Sequence, residues 1–73
     1  MNNYNIEFYN DGLLSKYGNE YNIDAEDLID LLSEYDIFNE YTEDEISKSI
    51  SNIATYHMYG NGMFQIKVTK LNQ

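Results

Sequence analysis

Apolar residues recur at every second position near both ends of this chain and at every third or fourth position in its middle. That change of period constrains the fold more than any other feature. Tyr4, Ile6 and Phe8 alternate with Asn5, Glu7 and Tyr9. Towards the other end Tyr56, Met58, Phe64, Ile66 and Val68 alternate with Thr55, His57, Tyr59, Gln65, Lys67 and Thr69. A period of two sends successive side chains to opposite faces, so each run predicts half-buried strand. Between the runs Leu28, Leu31, Leu32 and Tyr35 fall on one helical arc of about 100°, and Ile46, Ile50 and Ile53 repeat at helical spacing. The expectation is one α+β domain over residues 1–73, a three- or four-stranded antiparallel sheet with two helices packed on one face.

Local signals place the boundaries. Asn10-Asp11-Gly12 reads as a turn, with Leu13 to Tyr17 as a return strand; Gly18-Asn19 then breaks the pattern, and the chain up to Ile23 reads as connection. Asp24 is a helix N-cap, with Glu26 and Asp27 in the first turn where the macrodipole favours anions, which predicts a helix over 25–35. Residues 36–41 form a short connection with Ile37 and Phe38 turned inward. Thr42-Glu43-Asp44-Glu45 is a capping box, T-x-x-E, opening a second helix over 43–54. Gly60-Asn61-Gly62 supplies the turn of a terminal hairpin. With no cysteine in 73 residues the core must hold the fold alone, and 42% hydrophobic residues, among them eight Tyr and three Phe, are enough for it. Neither a signal-peptide pattern nor an apolar run long enough to span a bilayer is present, so the reading is a soluble protein of the cytoplasm.

Charge is the uneven feature. The net charge is −9, yet eleven of the thirteen acids lie between Glu20 and Glu45, a segment without Lys or Arg. Beyond it Lys48, Lys67 and Lys70 stand with no acid. This distribution and the sparse chemistry exclude most classes. Zinc needs clustered His and Cys, and here His57, read as a half-exposed strand residue, is the single His and Cys is absent. Neither acidic region carries the glycine of a Ca²⁺ loop. Nucleophilic catalysis would have to pair His57 with Ser15, Ser33, Ser47, Ser49 or Ser51, most of them on solvent-facing helix positions. Carboxylate pairs for glycoside chemistry lack the room for a sugar cleft. The expectation is therefore no catalytic, metal or cofactor site, no small-molecule substrate and no membrane. Direct binding to nucleic acid is disfavoured, because three lysines do not outweigh an anionic surface.

The acidic face can be explained as solvation of an outer helix surface, which keeps a small protein dissolved. Solvation accounts for its polarity but not for its single sign. Exposed helices ordinarily interleave Lys with Glu at i, i+4, whereas Glu26/Asp30 and Asp30/Glu34 are like-charge pairs that cost a few tenths of a kcal/mol each. The four carboxylates from Glu26 to Glu34 span about 12 Å of the predicted helix, one charge per roughly 3 to 4 Å, close to the roughly 3.4 Å per phosphate of a DNA strand.

In size, charge and α+β layout the whole chain resembles small acidic phage and mobile-element proteins, the anti-CRISPR proteins and other DNA mimics. The resemblance rests on the acidic run Glu20 to Glu45 and its interleaved tyrosines Tyr21, Tyr35 and Tyr41. It implies an inhibitor, not an enzyme, that acts in a bacterial host cell. Its partner would be a basic nucleic-acid-binding protein, such as a CRISPR effector subunit, whose nucleic-acid site it blocks with a phosphate-like surface. The partner-binding residues it implies are Glu26, Asp27, Asp30, Glu34, Asp36, Glu40, Glu43 and Asp44, with Tyr35 and Tyr41. The alternative is a small protein-interaction module that uses a tyrosine-rich sheet surface, the acidic face serving solubility only.

Overall fold

A computed structural model describes residues 3–71 and shows an α+β fold, five antiparallel strands in one sheet with two helices. The two central strands are β1 (Asn3–Asn10) and β5 (Phe64–Leu71), in a register that sets Ile6 opposite Val68 and Phe8 opposite Ile66. Outside β5 lies β4 (Tyr56–Gly60). The other edge of β1 is shared: β2 (Leu13–Leu14) pairs with Tyr9 and Asn10, and β3 (Glu20–Asp24) pairs with the opposite end of the strand. The sheet thus has one strand more than the largest number expected.

The additional strand lies in the segment read as connection. Tyr4 stands opposite Ile23 but Ile6 stands opposite Glu20, so β3 carries an extra residue. Asn22 absorbs it in the left-handed region at φ 61, where asparagine is better tolerated than most residues, and its N–H donates to Asn5 Oδ1 at 2.9 Å. The return strand expected over 13–17 is two residues long. After Leu14 the chain turns through Ser15 to Gly18, and Asn19 takes over the pairing with its side chain: Phe8 N–H donates to Asn19 Oδ1 at 2.8 Å, while Asn19 Nδ2 donates to the Ser15 carbonyl at 2.7 Å.

Both helices begin where their caps place them. α1 (Ala25–Leu32) starts at Asp24, whose carboxylate accepts from Asp27 N–H at 2.9 Å. α2 (Glu43–Ser51) has the full capping box: Thr42 Oγ1 accepts from Glu45 N–H at 3.2 Å, and Glu45 Oε1 accepts from Thr42 N–H at 2.9 Å. Both end three residues short of the bounds expected from the sequence. Tyr35 is extended, at φ −98 and ψ 143, and leads into a 3₁₀ turn over Asp36–Phe38 that buries Phe38.

One core joins the two layers. Tyr4, Ile6, Phe8, Ile66 and Val68 cover the inner sheet face and meet Leu28, Leu32, Phe38, Ile46, Ile50 and Ile53. Each such side chain stabilises by about 1.5 to 3 kcal/mol relative to exposure. Among the described residues no polar side chain is buried. The opposite sheet face has no helix over it. By register it carries Asn5, Glu7 and Tyr9 on β1, Gln65, Lys67 and Thr69 on β5, and Tyr56 and Met58 on β4. Among the described residues no helix is long and apolar enough to cross a membrane.

Candidate protein-binding surface

The inward stripe of α1, with Leu28 and Leu32 buried and Ile29 and Leu31 half-buried, leaves Glu26, Asp27 and Asp30 outside. All three are exposed, as are Glu34 in the turn after α1, Asp36 in the 3₁₀ turn, Glu40 in the connection, and Glu43 and Asp44 in the first turn of α2. Eight carboxylates expected to bind a partner therefore reach solvent from the helical layer. They do not converge: among the described residues no three His, Asp or Glu side chains gather as a cation cage. Because α1 stops at Leu32, regular helical spacing covers only Glu26 to Asp30, about 6 Å of rise. The remaining charges follow the turn and not a straight axis.

The position of each carboxylate along its helix separates two groups. Glu26 and Asp27 on α1 and Glu43, Asp44 and Glu45 on α2 occupy first turns, where the positive end of the macrodipole stabilises them. Asp30 and Glu34 lie at the other end of α1, where the dipole is negative and the last turn has no basic residue. Asp30 is also one turn from Glu26. The fold disfavours Asp30 on both counts and Glu34 on the first.

The two tyrosines differ. Tyr35 packs its ring 5.2 Å from Phe8 and 6.1 Å from Phe64, centroid to centroid, so it belongs to an aromatic cluster at one end of the core. Its place among the inward stripe outweighs its place in the acidic run. Tyr41 is 56% exposed and stands edge-on to Phe38 at 6.1 Å. It flanks a depression of about 480 Å³ between α2 and β4, whose lining includes Phe38, Ile46, His57 and Tyr59. Partial burial there pushes the Tyr59 phenol above its ordinary value, opposed by a 2.7 Å hydrogen bond with Ser49 Oγ.

The phase of β4 escapes the sequence pattern. His57 and Tyr59 pair with Val68 and Ile66 and so share the helix side, which leaves Tyr56 and Met58 on the open face. On that face Lys67 Nζ lies 4.8 Å from the centre of the Tyr56 ring, and Tyr21 Oη donates to Glu7 Oε2 at 3.4 Å. Desolvation, then the Glu7 carboxylate, raises the Tyr21 phenol above its usual range. The signal that finds this face is the tyrosine at positions 9, 21 and 56 combined with the strand register, and the register is not legible in the chain. Comparison with protein-family models, with curated protein sequences and with solved structures gives no match to this chain.

Proposed function

We propose that the protein is an acidic inhibitor. Its helical layer docks into the basic nucleic-acid site of a bacterial nucleic-acid-handling protein, a CRISPR effector being the leading candidate, and excludes the nucleic acid. The observation that carries this reading is the pair Asp30 and Glu34. Both are exposed, both oppose the helix dipole, and Asp30 repels Glu26, so they reduce stability where a lysine would add to it. Solvation of the face needs polarity but not this sign. A basic groove needs the sign, and it replaces the repulsion among carboxylates with attraction.

The inhibitor carries no chemistry of its own in this scheme. Phosphate contacts supply the sequence-independent share of nucleic-acid binding, and an exposed set of carboxylates competes for the same Lys and Arg side chains. Tyr41, exposed beside the acidic turn, adds apolar contact at its margin. The test is competition. Labelled target DNA is bound to purified CRISPR effector complexes, and release is followed by anisotropy as the protein is added. Displacement that is competitive with DNA supports the reading. Binding to an effector that leaves its DNA in place refutes the mimicry and shifts the interface to the tyrosine-bearing sheet.

A further inference from the structure

The outer edge of β4 is an unguarded strand in a chain that has charge to spare. Its hydrogen-bonded partners across β5 are fixed by the Lys70 N–H to Thr55 carbonyl bond at 2.8 Å and the Asn61 N–H to Phe64 carbonyl bond at 3.2 Å. In an antiparallel ladder residues directly opposite alternate between bonded and non-bonded pairs. His57 and Tyr59 therefore spend their backbone groups on β5, and the N–H and C=O of Tyr56 and Met58 point outward from the sheet. Natural edges are blunted by lysine, proline or an inward-pointing charge. β4 has none of these, and no Asp, Glu, Lys or Arg occurs anywhere from Ser49 to Ile66.

We infer that this edge pairs with the same edge of a second copy of the chain. Complete overlap of a five-residue strand with its two-fold mate places the axis at Met58. Met58 then exchanges both backbone hydrogen bonds with its counterpart, which is the bonded type of pair that its outward groups require. The same register sets Tyr56 opposite Gly60 of the other copy, and an aromatic ring can cover the bare backbone of a strand glycine. Charge selects this occupant. Two chains of net charge −9 repel wherever their α1 faces approach, and the uncharged stretch that includes β4, flanked by Lys48 and Lys67, is where contact avoids that repulsion. A basic partner strand has no carboxylate on β4 to answer it.

The two-fold axis runs through the sheet plane, so both helical layers lie on the same side of one continuous sheet. Such a dimer forms whatever those layers bind. Sedimentation equilibrium should give about twice the chain mass of 8.6 kDa at micromolar concentration. Backbone amide exchange at Tyr56 and Met58 should slow as concentration rises, while the amides of the Lys16 turn do not change. Met58→Asp sets two carboxylates together at the axis on the open face and should weaken association at least about tenfold. Tyr59→Phe, on the other face of the same strand, should leave association intact. A monomeric mass across that range overturns the inference, as does free exchange at Tyr56 and Met58 in the dimer. Protection of these amides that appears only when a nucleic-acid enzyme is added assigns the edge to a partner strand and overturns it equally.

Discussion

Reversing Asp30 and Glu34 together to lysine separates the roles assigned to the helical layer, because stability and binding should move in opposite directions. Both side chains are exposed, so no core contact is lost. On α1, Asp30 sits in the last turn and one turn from Glu26. Lysine there converts an i, i+4 repulsion of a few tenths of a kcal/mol into an attraction of the same size. It also exchanges an unfavourable for a favourable charge at the negative end of the dipole, and Glu34→Lys adds to that change. After screening the net gain is about 1 kcal/mol, which for a domain of 73 residues raises the melting temperature by about 4 to 8 °C. Circular-dichroism melts at low and high salt should show the gain and its reduction by salt. In the competition assay, two cations facing a basic groove should weaken inhibition about a hundredfold or more. A stabilised double variant that inhibits as well as the parent refutes nucleic-acid mimicry. A variant that melts well below the parent refutes the assignment of these carboxylates to a solvated, dipole-opposed position.

Leu28→Ala empties a fully buried site where both layers meet and should cost about 2 to 5 kcal/mol, out of a total of roughly 4 to 11 for a chain this long, measured by urea unfolding. Asn22→Ala should cost about 1 to 2 kcal/mol because alanine resists φ 61, whereas Asn22→Gly, which accepts that angle and loses only an exposed bond to Asn3, should cost less. Tyr59 is held neutral by the fold, so its contribution is complete below pH 10, the ordinary phenol value, and is lost as pH rises through its raised folded value; Tyr59→Phe should flatten that alkaline decline in the unfolding midpoint. Affinity for a basic target should fall linearly in log–log plots against salt, and a flat response would favour the open sheet face with Tyr9, Tyr21 and Tyr56.

Helix starts were legible because a cap is a local device: Asp24 and the Thr42/Glu45 box need only four consecutive residues. Helix ends were not, because α1 ends through a distant contact. Tyr35 fits the helical period, yet its ring finds Phe8 and Phe64, and the backbone leaves the helix to deliver it there. β3 was hidden by its own bulge, since the extra residue at Asn22 destroys the alternation that marks a strand. On β4 three of the four candidate inward residues, Tyr56, His57 and Tyr59, are amphipathic, and Tyr56 and Tyr59 satisfy either face equally well. At the candidate surface the exposed carboxylates were readable from their positions opposite the leucines. The packing of Tyr35 against Phe8 and Phe64 and the opposition of Asp30 and Glu34 to the dipole needed the true length of the helix.

Joining residues 3–10 to residues 64–71 at the centre of the sheet governs the order in which the domain can assemble. Nearly the whole described chain must exist before its longest ladder can close, while α1 and α2 can condense on each other earlier. Such non-local pairing slows folding relative to helical bundles, whose contacts are local. The same arrangement makes the topology easy to rewire. Asn3 stands opposite Leu71, so a short linker between them would turn the slowest pairing into a local hairpin, and the exposed turn at Lys16 offers a place to open the chain. Such a circular permutant should keep the fold and reach it faster.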